Sequence, residues 1–341
     1  MNAHAVVFTA PNVAEYLPVN CPDPEPNEVV VRTTRSWISN GTEGSFLRGE
    51  RIAGDTPYTP ADPWPFPIVA GYQKIGVVEW VGPEVNDLAV GETVFATVGK
   101  VAGMFSSRGG QLSHSVAPRD QIWKLPANVD PLAFAGLVLT QVGYNCGTRA
   151  PFAHGTDTVA SGAVANGAVV IGDGMVGQWA AQTLAWRGAE VLLVGRHADR
   201  LQLFGGDTRR MTVNAAQQEW VAVARERWLA GVQIVVDTVG SIDEVERAMS
   251  VMRRYGHIVS AGFYRNADKL ALQPLRNREL SLDMVSGWSQ ERMDATLALI
   301  ATGDLQTLPL ITHHFPVQQA AAAWRLIQQK HEPVLGVILE W

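Results

Sequence analysis

The chain has 341 residues, 47% hydrophobic and 18% charged, with a formal net charge of −6. That length suggests about two domains, the apolar content excludes a disordered chain, and a negative balance with no dense Lys/Arg run excludes a nucleic-acid-binding surface. Its two cysteines, Cys21 and Cys146, are too few for a disulfide framework or a cysteine-rich zinc lobe.

The opening MNAHAVVFTA carries neither a basic stretch nor a long apolar run, so no export signal is expected. No apolar run reaches the length of a membrane span. A reduced, cytoplasmic protein with no nucleic-acid or membrane partner is expected.

Residues 1 to about 135 read as β-structure. Apolar or alternating runs at Ala5–Phe8, Glu28–Thr33, Ile75–Val81, Glu92–Val98 and Leu112–Ala117 are separated by Pro, Gly and Asn clusters, the pattern of a barrel or partly open sheet. Between them, 49–67 is a proline-punctuated loop anchored by Tyr58, Trp64 and Phe66. From Asp130 the character changes. "PLAFAGLVLTQVGYNCG" predicts an apolar helix ending near Pro151, and "AHGTDTVASGAVANG" a small-residue connector.

Strands then alternate with helices: a strand over Ala168–Ile171, a helix over Gly174–Arg187 and a strand over Glu190–Val194. A helix over Glu219–Leu229, a strand over Gln233–Asp237, a helix over Asp243–Tyr255 and a strand over Ile258–Ala261 follow. Such alternation predicts βαβ units and a parallel sheet. Two further helical stretches and a closing strand, "PVLGVILEW", end the chain.

"AVVIGDGMVGQWAAQTLAWRGAEVLLVGRH" holds the sharpest signal. Gly172, Gly174 and Gly177 form G-x-G-x-x-G between an apolar strand and an amphipathic helix. The first glycine permits a tight turn, the second a close approach to a pyrophosphate, and the third close packing of helix on strand. The helix start, with Met175 and Val176, offers backbone N–H groups to the phosphates.

Cofactor choice is read where the second strand ends. A carboxylate there grips a ribose 2′-hydroxyl, whereas this chain has Gly195 followed by Arg196, His197 and Arg200. Guanidinium groups without a carboxylate favour a 2′-phosphate, hence NADP and NADPH over NADH. The alternative is that both arginines are ordinary surface charges.

Taken together, "PEPNEVVVRT", "ISNGTEGSF", "AGYQKIGVVEWVG", "LAVGETVFA", "GGQLSHSVAP", "IGDGMVG" and "VVDTVG" resemble the medium-chain dehydrogenase/reductase superfamily over essentially the whole length. The resemblance implies an α/β protein with a GroES-like β-barrel substrate domain (1–135 and 305–341) plus a doubly wound Rossmann domain (136–304). It also implies an active site in the cleft between them and dimers or tetramers formed through the nucleotide domains, of which a homodimer is expected. "SAGFYRNADKLAL", "LALIATGDL", "LITHHFP" and "LGVILEW" look like the branch of 2-desacetyl-2-hydroxyethyl bacteriochlorophyllide a dehydrogenase, which oxidises a secondary alcohol on a tetrapyrrole. On family grounds, Thr140 approaches the nicotinamide, and Val239, Gly240, Gly262 and Phe263 line the cofactor channel. Asp237 ends a strand at the same edge, in a binding or a structural role.

Zinc-dependent members carry Cys in a first turn and His–Glu after a glycine. Here the first turn reads Ser39-Asn40-Gly41-Thr42-Glu43 and the second Gly71-Tyr72-Gln73. The region 136–140 supplies no third ligand, and one carboxylate cannot hold a tetrahedral zinc. A zinc-independent enzyme is expected. His114, in the strand-like "QLSHSVAP", is read as structural or cleft-facing, and His313 and His314 as surface or turn residues.

Without a Lewis acid, side-chain donors must meet the charge that develops on the reacting oxygen. Tyr72, whose phenol has an ordinary pKa of roughly 10, is either that proton donor or a filler of vacated space. Ser39, Asn40, Thr42 and Gln73 are candidates to orient the substrate, and Glu43 to hold the turn or bind an arginine. Tyr58, Trp64, Trp288 and Tyr264 are candidate pocket walls for a bulky, cyclic small-molecule substrate.

The expected function is NADP(H)-dependent alcohol dehydrogenase or ketone reductase. Reduction of an enone or quinone is the alternative, and a non-catalytic NADPH-binding scaffold the second alternative.

Overall fold

Runs of consecutive buried residues shape β-strands near the N-terminus, and the computed structural model describes residues 1–50, 66–150, 167–265, 267–329 and 331–341. In chain order come β1 (Asn2–Ala10), β2 (Val13–Asn20), β3 (Glu28–Trp37), α1 (Thr42–Leu47), β4 (Ile68–Val69) and β5 (Lys74–Val81). β6 (Thr93–Ala96), β7 (Gly99–Lys100), β8 (Arg108–Gly109), β9 (His114–Pro118) and β10 (Ile122–Lys124) follow. β1 and β2 form an antiparallel hairpin turned by Asn12 at φ +63°, a left-handed conformation that asparagine tolerates.

The next stretch contains α2 (Leu137–Arg149), β11 (Gly167–Ile171), α3 (Met175–Trp186), β12 (Glu190–Gly195), α4 (Ala198–Gln202), β13 (Arg210–Asn214) and α5 (Trp220–Arg227). β14 (Val232–Asp237), α6 (Ile242–Met249), β15 (Met252–Ser260), α7 (Leu272–Asn277), β16 (Ser281–Met284) and α8 (Gln290–Thr302) continue it. The chain ends with β17 (Ile311–Pro316), α9 (Ala320–Gln329) and β18 (Gly336–Glu340).

Two units result: Met1–Val138 with Thr307–Trp341, and Leu139–Gln306. In the first, the sheet runs β10-β6-β5-β3-β18-β17 with β9 also on β3, and a second sheet runs β2-β1-β4. This is the GroES-like, partly open barrel expected. Its closing strand β18 pairs antiparallel with β3, so the C-terminus completes a sheet begun near the N-terminus.

In the second unit the order is β13-β12-β11-β14-β15-β16, all parallel. Successive residues of β11 enter opposite cores: Val169 and Ile171 join Trp220 and Ile258, while Ala168 and Val170 join Ala180 and Leu184. Burial on both faces is why these strands read as continuous apolar runs, and the order is that of a doubly wound Rossmann sheet.

Local expectations differ from the structure in three places. The helix expected over 131–147 is a 3₁₀ turn, Pro131–Phe134, and then α2. At the break, a Cβ on Gly136 would sit 2.9 Å from Trp37. The helix expected over 243–255 stops at Met249, because Met252 joins the sheet beside Val232 and Tyr255 takes φ +60°, which no helix continues through. Strands β2, β4, β7, β8, β10, β13, β16 and β17 went unread: Pro18 interrupts the first, and the others are short or polar.

One buried charge stands out in the barrel. Lys74 is fully buried on β5 and donates from Nζ to the Thr97 carbonyl. Burial lowers its pKa to about 7, and the nearby Cys21 thiol partly opposes that. Between about 7 and the unfolded value of roughly 10.4 the folded chain holds fewer protons than the unfolded one, so this group's contribution to stability rises with pH there. Lys74→Met is therefore expected to raise Tm by a few degrees at about pH 6, with the gain shrinking toward about pH 10. A gap independent of pH in thermal melts would contradict the buried ammonium.

Candidate active site

Ser39 and Tyr72 meet because two turns converge. β3 ends at Trp37, and Ser39 leads into α1, where Glu43 reaches back so that the Ser39 N–H donates to its Oε1 at 2.8 Å. Glu43 thereby ties the turn that carries Ser39 to the first turn of the helix. The second turn needs Gly71, at φ +80°, where a Cβ would lie 2.6 Å from the Gln111 side chain. Tyr72 then donates its phenol proton to Ser39 Oγ at 2.7 Å.

Burial raises the Tyr72 pKa to about 12; its bond to Ser39 opposes the rise, Glu43 adds to it and Thr42 opposes it. The phenol is therefore a proton-bearing group at neutral pH. Glu43 beneath it is fully buried, and burial raises its pKa to about 8 against the Ser39 N–H and Gln111. A carboxyl that stays neutral at pH 7 can donate as well as accept.

Gln111 Nε2 donates to Glu43 Oε2 at a long 3.4 Å, the Ser36 hydroxyl donates to Gln111 Oε1, and Trp341 Nε1 donates to Ser36 Oγ at 2.8 Å. The penultimate residue of "LEW" is thus followed by an indole that closes the network under the tyrosine. Glu43 as a neutral acid, Gln111, Ser36 and Trp341 were not read from sequence; the "GGQ" run was the available signal for Gln111.

The structure brings together Tyr72, Ser39 and Thr42 of the expected set and redirects two others. Asn40 Nδ2 donates to the Leu335 carbonyl at 2.8 Å, although its Oδ1 is buried with no hydrogen-bond partner among the described residues. Gln73 is fully buried and donates to the Trp37 carbonyl at 3.1 Å, a floor position that corrects its expected contact with substrate.

Among the described residues, no group of three or more His, Cys, Asp or Glu side chains could hold a metal ion. A phenol, hydroxyls and one neutral carboxyl do not fit a catalytic zinc, which needs three Cys, His or carboxylate ligands. His114, His313 and His314 instead face Glu79, Glu332 and Glu340 at 3.4, 3.2 and 3.0 Å.

The second unit carries a nucleotide crevice at the C-terminal edge of its sheet. Gly172 has φ +114°, and a Cβ on Gly177 would overlap the Gly172 carbonyl, whereas nothing lies within 4 Å of a Cβ on Gly174. That open face at the start of α3 (Met175, Val176) fits a pyrophosphate approaching helix N–H groups. Across the strand-order reversal, Asp237 ends β14 fully buried. It accepts from the Val239 and Gly240 N–H groups at 2.9 and 3.1 Å and from the Tyr264 phenol at 2.5 Å.

Tyr264 also bonds Ser260 at 2.7 Å. Its pKa is raised, first by burial and then by the bond to Asp237, and its hydroxyl braces the ends of β14 and β15. Gly240 and Gly262 pack backbone on backbone with no space for a Cβ. They leave Val239 and Phe263 apolar and 55% and 57% exposed, a surface suited to a planar ring. Thr140 lies fully buried on α2. Trp288 is half-buried, and Tyr58 and Trp64 lie outside the described residues.

At the end of β12, Gly195 has no room for a Cβ because the Asp173 carboxyl lies against it. Arg196 is exposed, and no carboxylate among the described residues pairs with its side chain. Arg200, expected to meet a 2′-phosphate, directs Nη1 to Asp173 Oδ1 at 3.4 Å, and His197 Nδ1 lies 3.0 Å from Asp173 Oδ2. Asp173 was not singled out from sequence because its position is a free one in the glycine fingerprint.

Residues 176–302 match the family model described as zinc-binding dehydrogenase. The 2-desacetyl-2-hydroxyethyl bacteriochlorophyllide A dehydrogenase of Cereibacter sphaeroides is 24% identical over 363 aligned positions, spanning 100% of this chain and 99% of that protein. A short chain alcohol dehydrogenase from Escherichia coli CFT073, complexed with NADH, has a TM-score of 0.79 at 20% identity and covers 100% of this chain and 99% of its own. A putative zinc-binding dehydrogenase from Sinorhizobium meliloti 1021, bound to NADP, has a TM-score of 0.76 at 21% identity and covers 100% of both.

Neutral Glu43 has a measurable signature. Its folded pKa of about 8 exceeds the unfolded value of roughly 4.3, so the folded chain holds the extra proton between them and stability falls as pH rises through that window. Glu43→Gln removes the titration. Its Tm relative to wild type is expected to climb by several degrees between about pH 5 and about pH 8; parallel melting profiles across that range would contradict a buried neutral acid.

Proposed function

We propose that this chain, an oxidoreductase of the medium-chain dehydrogenase/reductase type, is an NADP(H)-dependent, zinc-independent alcohol dehydrogenase or ketone reductase. It would act on a secondary alcohol or the matching ketone of a bulky cyclic substrate. The observation that carries this reading is the Tyr72 phenol, proton-bearing and hydrogen-bonded to Ser39, where the zinc-dependent pattern has a ligand.

The bound nicotinamide supplies or accepts the hydride. The chain's own residues bind, orient and manage a proton. In this reading the phenol proton turns from Ser39 Oγ to the substrate oxygen as alkoxide charge develops, and the Ser39 and Thr42 hydroxyls in turn donate to the phenol oxygen. Glu43, neutral beneath them, places no full negative charge where an oxyanion must form. The buried Asn40 Oδ1 is an acceptor suited to a substrate hydroxyl. Gly195 and the exposed Arg196, which pairs with no carboxylate among the described residues, support a 2′-phosphate and hence NADP(H). A bacteriochlorophyllide-modifying relative supports a large ring-bearing substrate. NADH- and NADP-bound neighbours support a nicotinamide cofactor.

Edge strand β16 ends the parallel sheet and exposes Leu282 and Met284. An uncovered apolar edge invites pairing, and we assign it to a homodimer in which two copies of β16 pair. No helix among the described residues is long and apolar enough to cross a membrane. Cys21 and Cys146 are both free and buried, which supports a reducing, cytoplasmic setting.

Two tests follow from this reading. Tyr72→Phe is expected to lower kcat for ketone reduction by about 10²–10⁴-fold and to leave NADPH affinity unchanged; full turnover in steady-state kinetics would remove the phenol as donor. Met284→Lys is expected to shift the light-scattering mass from dimer to monomer, and an unchanged oligomer would rule out the β16 edge.

A further inference from the structure

The glycine that ends β12 leaves that strand without a side chain of its own, and a residue from the preceding turn fills the space. Asp173 sits between the first two glycines of the fingerprint, only 6% exposed. Its carboxylate accepts from the Arg196 N–H at 2.7 Å and the His197 N–H at 2.8 Å. It also meets His197 Nδ1 at 3.0 Å and Arg200 Nη1 at 3.4 Å. A carboxylate offers about four acceptor sites, so these four groups use its capacity.

That count separates two roles. A carboxylate at the end of a second Rossmann strand ordinarily reads ribose hydroxyls and repels a 2′-phosphate. Asp173 has neither the exposure nor a remaining acceptor site for that task, and Arg200 offsets its charge. What its bonds accomplish is local: they clamp the backbone of 196–197 against β11's turn. The Arg196 side chain is left exposed, and the His197 ring is held by Nδ1 with its side chain 51% exposed.

We propose that Asp173 is the positioning residue for the cofactor's 2′-phosphate: by clamping the 196–197 backbone it presents Arg196 and His197 as the phosphate-binding pair. This rests on the NADP(H) reading above and deepens it, since it names what orders the cationic groups. Arg196 would meet the phosphate as a charge-assisted donor, and His197 would add its Nε2 side. Arg200 serves Asp173 and not the ligand.

The test is equilibrium titration of the full chain with adenosine 2′,5′-bisphosphate and with 5′-AMP, which report the 2′-phosphate site without turnover. In wild type, the bisphosphate is expected to bind more tightly. Asp173→Asn, which keeps the size and removes the charge and two acceptor sites, is expected to weaken the bisphosphate at least tenfold and 5′-AMP less than twofold. Retained 5′-AMP binding shows that the crevice is still folded.

Should Asp173→Asn lose both ligands, Arg196→Ala decides the matter. That exposed change must erase the bisphosphate preference, and a preference that survives it overturns the proposal. Weaker 5′-AMP binding with tighter bisphosphate binding in Asp173→Asn would make Asp173 a ribose-reading carboxylate and also overturn it. A wild type that prefers 5′-AMP contradicts the NADP(H) reading itself, whereas a wild-type preference that Asp173→Asn leaves intact contradicts only the role given to Asp173.

Discussion

The hydrogen bond from Tyr72 to Ser39 rests on a carboxyl group that has lost its charge. Were Glu43 ionised, a full negative charge would sit beneath the phenol without a cation among its hydrogen-bond partners, and such a charge in a low-dielectric interior costs several kcal/mol. Burial settles the matter by keeping the proton on Glu43. The same burial keeps the proton on Tyr72. Two acids in one cluster thus remain protonated at neutral pH for one physical reason. Their supports run through Gln111 and Ser36 to Trp341, which is why the C-terminal strand belongs with the N-terminal barrel.

In the second unit two aspartates serve as hydrogen-bond acceptors that gather turns. Asp237 gathers the Val239–Gly240 turn and Tyr264, and Asp173 gathers the 196–197 turn with Arg200. Both stand at the C-terminal edge of the parallel strands, where the glycine turns bring backbone close enough to a dinucleotide to bind it. Rigid turns there lower the ordering that binding would otherwise require.

The nucleotide-binding half was legible in the sequence because its signals are local. Gly172, Gly174 and Gly177 fall at fixed spacing between a strand and a helix, and the buried strands read as apolar runs. The donor cluster was only half legible. Tyr72 and Ser39 lie 33 positions apart, and the resemblance to zinc-type turns brought them together. Trp341 and Ser36 are separated by 305 positions, and no periodicity links such residues. The pairing of Arg200 with Asp173 was illegible for a related reason, since it depends on the packing of a glycine that has no Cβ. Gln73 follows the Gly71 turn just ahead of β5, and its burial against the Trp37 carbonyl depends on a contact 36 positions away that no local pattern shows.

Metal content of the active enzyme tests the central claim most directly. Elemental analysis of purified protein, paired with turnover before and after exhaustive chelation, should find zinc far below one equivalent per chain and undiminished ketone reduction. One tightly bound zinc per chain, with activity lost on its removal and regained on its return, would contradict the account.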